Sequence, residues 1–180
     1  VGEGLRKEFA HNQRWTDYVR HSHAISRSCR ILAELKGVSE SDCQMYTIAG
    51  LTHDIGRIVI MIAADVRTAP LLGTTPERMK QIIHDEKEAY GLNHCEVGEF
   101  LFRKWNFSEV MQQGILRHHT PLLSDDFDLP GAIIFVSHLI SMSDFTGEII
   151  HHMLNEQLLE HLGLGLAELV EAKKLYEASS

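Results

Sequence analysis

The sequence is short of most features that would assign it quickly to a class. It has three cysteines, Cys29, Cys43 and Cys95, with no CxxC pair, so it reads as a set of reduced thiols in a cytoplasmic protein and not as a disulfide framework. It has four prolines in two pairs, Pro70 with Pro76 and Pro121 with Pro130, each pair bracketing a loop. Its longest apolar run, Ile58 to Ala64, is far below the roughly 20 residues of a membrane span. There is no basic excess: 17 Lys+Arg against 25 Asp+Glu give a net charge of −8, which argues against nucleic acid or an anionic membrane as the main partner. Repeats, low-complexity stretches and an interdomain linker are also lacking, and 180 residues suit one domain, taken as 1–180. The N-terminal stretch is polar and starts at Val1; we expect a piece of a longer protein and no signal peptide.

No segment alternates as a half-buried strand does, and the apolar periodicity is helical throughout. Val19, Ile25, Ile31, Leu32 and Leu35 form one stripe that stops at Lys36-Gly37. Ser39, Asn93 and Ser108 sit where helix N-caps belong, and Thr75-Pro76 opens another helix. His53 to Ala64 is nearly all apolar and is expected to be buried. A helix from about Pro130 to Phe145 and amphipathic helices over 148–178 complete an expected all-α bundle of about eight helices.

What the sequence has in abundance is histidine, twelve in all. The sharpest local feature is Leu51-Thr52-His53-Asp54-Ile55-Gly56-Arg57. Burying an ionised carboxylate costs several kcal/mol unless it is paired or binds a metal, and imidazole with carboxylate is a ligand pair suited to a divalent cation. Gly56 permits close helix approach, and Arg57 is placed to hold an anion beside the metal. His21 lies on the buried side of the first helix, with Asp17 one turn earlier as a second-shell or bridging carboxylate. His94 stands near a helix start, and His118-His119 end a helix before Thr120-Pro121.

Four blocks in this order, Arg20-His21-Ser22, His53 to Arg57, Gly91 to Gly98 with Phe100, Leu101 and Trp105, and Arg117 to Pro121, resemble the HD superfamily of metal-dependent phosphohydrolases, and within it the HDOD family of bacterial signalling output domains. The resemblance covers residues 14–145. It implies an HD-domain-like helical bundle in which His21, His53, Asp54, His94, His118 and His119 are metal ligands for one or two ions, with iron, manganese or nickel the best candidates. If the site is active, Asp54 and Arg57 are its catalytic residues, and metal-assisted hydrolysis of a phosphoester is its chemistry. Three departures from the family pattern matter, of which two weigh against activity. His138 stands where catalytic relatives carry a late aspartate, which suits binding as a substitute ligand better than catalysis. The Gly-Tyr-Pro loop of cyclic di-GMP phosphodiesterases is absent. The third is that only twenty residues precede His21, where HDOD proteins usually carry a long helical segment; Arg57, in place of the usual lysine, keeps the charge and changes the reach of the contact. The expected role is a regulatory output domain acting through protein partners, with a phosphorylated small molecule as the other candidate ligand and the C-terminal helices as candidates for homodimer contacts.

Plainer readings stand beside these. His53-Asp54 can be a hydrogen-bonded pair joining two helices, His94 a surface residue, and at least one of His118 and His119 a helix C-terminal charge. His11, His23, His84, His151, His152 and His161 read as solvated or packing residues. The run from Asp85 to Glu88 reads as a solvated face, although Glu86 falls where similar chains often carry a glutamate. Cys95, beside His94, is the one cysteine worth testing for reactivity.

Overall fold

The computed structural model describes residues 13–63, 76–121, 128–142, 154 and 156–179. Among these the chain is all helical: α1 (Gln13–Lys36), α2 (Glu40–Thr52), α3 (Ile55–Ala63), α4 (Pro76–Tyr90), α5 (His94–Lys104), α6 (Glu109–Arg117), α7 (Leu129–Ser141), α8 (Glu156–Leu162) and α9 (Leu166–Ala178). No described helix is long and apolar enough to cross a membrane.

The boundaries follow from capping chemistry. Gly37 takes a positive φ of 73° and closes α1, a conformation that costs glycine no steric penalty. The Ser39 hydroxyl accepts from the Asp42 amide at 3.2 Å and starts α2. Asn93 and Glu96 form a reciprocal capping box at α5, with bonds of 3.0 and 2.9 Å. Ser108 and Asp128 cap α6 and α7. The helix expected from Pro130 ends at Ser141, short of Phe145, and Phe145 itself lies outside the described residues. The C-terminal stretch is two helices broken at Gly163, where φ is 63°.

The core is organised around α7. Every residue from Pro130 to Ile140 is buried, as a helix that is apolar all round must be, and α1, α2, α6, α8 and α9 all pack on it. Two close approaches fix the frame. At Gly50 an added Cβ would lie 2.7 Å from Cys29 Sγ and 2.9 Å from Ser26 Cα, so α2 lies tight on α1. At Gly56 it would lie 2.0 Å from the His94 carbonyl oxygen, so α3 lies tight on the start of α5.

One expectation needs correcting. The apolar segment after His53 is not fully buried: within α3 only Gly56 and Arg57 are, while Val59 and Ile62 are 37% and 55% exposed. The reason is its position. It packs chiefly on α5, and its other side lines a cleft of about 670 Å³ with Tyr90, Leu92 and Phe100.

Two outcomes are expected of the frame. Gly56→Ala forces its methyl onto backbone, so thermal melting should show a loss of at least about 1–3 kcal/mol, the usual range for overpacking. Asp128 is raised from 3.8 to about 6, by burial first, against the lowering effect of the Gly131 amide. The folded carboxyl therefore keeps its proton where the unfolded one has released it, and stability falls as pH rises across that window and is level above it. Asp128→Asn retains a good cap and removes the charge. It should melt higher than the parent at neutral pH and match it below the window.

Candidate metal centre

The ends of helices α2, α5 and α6 converge where α1 and α7 cross them, and each contributes a histidine. His53 is the C-cap of α2, His94 the first residue of α5 and His118 the C-cap of α6. His119 follows directly, while His21 comes from α1 and His138 from α7. These rings stack edge to face or tilted, with His53 4.8 Å from His138 and 5.2 Å from His118, and His94 5.0 Å from His119, between centroids.

Asp54 lies at the centre, 1% exposed. Its Oδ2 faces His53 Nε2 at 3.4 Å and His21 Nε2 at 3.9 Å. Its Oδ1 faces His94 Nε2 at 3.2 Å and His118 Nε2 at 3.7 Å. Arg57 reaches the same oxygen through Nε at 2.9 Å. Burial alone would push the Asp54 carboxyl up, but Arg57, His53 and His94 outweigh it and hold the group well below its usual range. The carboxylate is charged.

Three histidines have their free nitrogen fixed by a bond to the other one. His53 Nδ1 donates to the Gly50 carbonyl at 2.8 Å, His118 Nδ1 to the Ile115 carbonyl at 2.6 Å, and His94 Nδ1 to Glu86 Oε2 at 2.6 Å. Each leaves Nε2 turned toward Asp54, the arrangement that orients metal-bound imidazoles. Burial first, then neighbouring histidines, lowers His21 to about 3 and puts His119 and His138 well below their usual value, so these rings are neutral with lone pairs available.

The donor set fits a cation. His21 Nε2, His53 Nε2, His138 Nε2 and Asp54 Oδ2 are buried without a hydrogen-bond partner, although unpaired buried polar atoms are rare in folded proteins. Three groups place their donor atoms within 4.8 Å of one another: His21, His53 and His138; His53, Asp54 and His118; and His94, Cys95, His118 and His119. Imidazole nitrogen with carboxylate oxygen suits a first-row divalent metal.

A family model for the HDOD domain matches residues 1–121 of the 180. The chain belongs to the HDOD domain family. No curated protein matches it. Among solved structures, this HDOD domain is similar to a protein from Shewanella amazonensis SB2B provisionally described as a phosphohydrolase, with a TM-score of 0.62 and 18% identity. The match covers 88% of the HDOD chain but only 58% of the other, and at that identity it speaks to the fold alone.

Of the residues singled out by sequence, His21, His53, Asp54, His94, His118, His119 and His138 all meet in one cluster. His94, His118 and His119 are 0%, 0% and 2% exposed, which removes the surface reading of His94, while His118 does cap a helix end and bonds the Ile115 carbonyl as well as facing Asp54. Two expectations fail. Asp17 is 38% exposed in its side chain, pairs with Arg20 at 3.3 Å and joins none of the three donor groups. It shares the His21 face of α1 but lies one turn nearer the start of the helix, short of the cluster. Arg57 is not free to hold an anion beside the site. Its guanidinium is 5% exposed and points inward, with Nη2 3.4 Å from both His94 Nε2 and His119 Nε2, because Asp54 one turn away is its nearest countercharge.

The sequence reading undervalued one residue. Glu86 is not part of a solvated face: it accepts from both the His94 amide, at 2.8 Å, and its ring. These contacts more than offset burial and lower its pKa. A glutamate eight residues before a histidine across a Gly-Leu-Asn turn carries little signal by itself, since the pairing depends on how α4 returns to α5. Glu86→Gln keeps the shape and removes the charge. Competition with a chelator should then show metal affinity falling about 10–100-fold, the usual effect of an outer-shell partner, with the helical circular dichroism unchanged.

Proposed function

We propose that this HDOD domain is a regulatory output module of a bacterial signalling protein, built round an HD-type His/Asp metal centre that is weakly catalytic or non-catalytic. The observation that carries the reading is Asp54, a charged and buried carboxylate whose two oxygens face different sets of histidines, Oδ1 held by the ion pair with Arg57 and Oδ2 without a hydrogen-bond partner. His21, His53, His138 and Oδ2 would hold an ion on one side, and His94, His118 and His119 with Oδ1 on the other. A bound divalent ion supplies Lewis acidity and lowers the pKa of water. The chain's own residues do the rest: Gly50, Ile115 and Glu86 orient rings, and the surrounding helices exclude solvent.

Several features favour regulation over turnover. His53, Asp54, His94 and His118 are at most 1% exposed, and the His21 side chain is 14% exposed, which leaves little entry for a phosphoester among the described residues. His138 replaces the late aspartate of catalytic relatives. Arg57 is spent on Asp54 and turned away from solvent. The α3–α5 cleft is one exposed apolar surface open to protein partners in the cytoplasm. The second reading, an active phosphohydrolase on a nucleotide or cyclic dinucleotide with His138 in place of the late aspartate, draws on the other matching HD positions and on the description of the similar structure.

Metal analysis of protein purified without chelator, alongside hydrolysis assays on cyclic dinucleotides and nucleotides, separates them. The expected result is bound iron, manganese or nickel that Asp54→Ala removes, with no turnover above background. Metal-dependent hydrolysis lost in Asp54→Ala would establish the enzyme. Metal content that survives the substitution would dispose of the site itself.

A further inference from the structure

The three cysteines are not equivalent. Cys29 is sealed in the core, its sulfur accepts from the Ser137 hydroxyl at 3.3 Å, and burial pushes its thiol up to about 12. Cys43 is buried against α1. Cys95 is 3% exposed and stands among imidazoles, with Sγ 3.4 Å from His94 Nε2 and 3.8 Å from His118 Nδ1. We propose that Cys95 is a thiolate ligand, which makes the His94, Cys95, His118 and His119 side of the centre a mixed sulfur and nitrogen site for a borderline-soft ion such as zinc, iron or cobalt. The inference rests on the metal-centre reading and deepens it, because it names a ligand outside the His/Asp set and the class of ion that follows.

Distances carry the first part of the argument. His94 Nε2 lies 3.0 Å from His119 Nε2, 3.4 Å from His118 Nε2 and 3.4 Å from Cys95 Sγ. Ligands held at about 2.0–2.3 Å from a tetrahedral ion are themselves about 3.3–3.7 Å apart; the two 3.4 Å separations fall in that range, and the 3.0 Å pair would have to open slightly to share an ion. Glu86 and the Ile115 carbonyl hold the N–H on Nδ1 of His94 and His118, which turns Nε2 of both rings into the cluster. Arg57 Nη2, 3.4 Å from both His94 Nε2 and His119 Nε2, is the cation already beside these nitrogens, and an ion bound here would share them with it or displace it. His119 Nδ1 is a further buried nitrogen without a partner.

Charge carries the second part. Asp54 and Glu86 bring two negative charges and Arg57 one permanent positive charge. A single divalent ion on this side alone would leave one positive charge in excess, which an anionic sulfur ligand offsets. Position agrees. Cys95 is the second residue of α5, beside His94 at the helix N-terminus, where negative charge is favoured.

Cobalt(II) alone, titrated into the metal-free chain, tests this without any turnover assay. The parent is expected to show the near-ultraviolet sulfur-to-cobalt charge-transfer band of a thiolate complex. The same band should persist in a Cys29→Ser, Cys43→Ser double variant. Cys95→Ser should lose it and bind cobalt at least about tenfold more weakly, the smallest loss usual even for an outer-shell partner. X-ray absorption on the cobalt-loaded parent should find one sulfur in the first shell, and this needs no variant to fold. Cobalt bound with nitrogen and oxygen neighbours only, and no charge-transfer band, would overturn the thiolate while leaving the metal centre intact. No cobalt uptake by the parent would overturn the centre and the thiolate together.

Discussion

One buried negative charge organises this domain. Asp54 is a fully enclosed carboxylate held ionised by its surroundings, and an isolated carboxylate in that position would cost far more than a domain's net stability can absorb. Every nearby feature can be traced to meeting that cost. Arg57 returns one turn along the chain to lie at 2.9 Å. Four histidines turn an Nε2 toward the two oxygens. The bonds from His53, His94 and His118 to Gly50, Glu86 and Ile115 decide which nitrogen each ring presents.

Such convergence makes demands on the backbone. His53, His94, His118 and His119 come from helix ends, where the chain changes direction and a side chain can enter between neighbouring helices. The approach of α3 to α5 admits no side chain at Gly56, and that contact sets the distance from Arg57 and Asp54 to His94. The apolar α7 then serves two purposes. Its aliphatic residues form the core against five other helices, and His138 is the one imidazole it delivers to the cluster. Packing and site geometry are therefore coupled: a shift of α7 moves both.

Much of this was legible in the sequence. Caps at Ser39, Asn93 and Ser108 are local chemistry, and the sequence reading located them to within a residue. The histidines were legible for a different reason. Their blocks keep fixed order and character, and those blocks match the HDOD resemblance that the family model bears out over residues 1–121. His138 lies beyond that match and was visible only by aligning the apolar run before it. What escaped was decided by three-dimensional direction. Asp17 and His21 are four residues apart on one helix, yet only His21 lies within the cluster. The inward turn of Arg57 and the return of Glu86 to His94 depend on helix packing that no spacing rule encodes. The exposed side of α3 escaped because hydrophobicity reports a preference for burial and not whether a neighbour exists to provide it.

Arg57 bears most directly on whether such a centre can turn over. A guanidinium does not lose its proton in a protein, so its charge is a permanent part of the site. It lies against Asp54 Oδ1 and the imidazoles of His94 and His119. To hold a phosphoryl group it would have to swing outward, and Asp54 would lose its nearest cation while still buried, a change that costs roughly 3–5 kcal/mol when a buried pair is broken. A lysine at this position, on its longer flexible stem, could leave and return with less disruption because it makes a single point contact. Arginine ties three partners at once. On the proposed reading, this favours a centre that holds its charges in place over one that must rearrange them in every catalytic cycle.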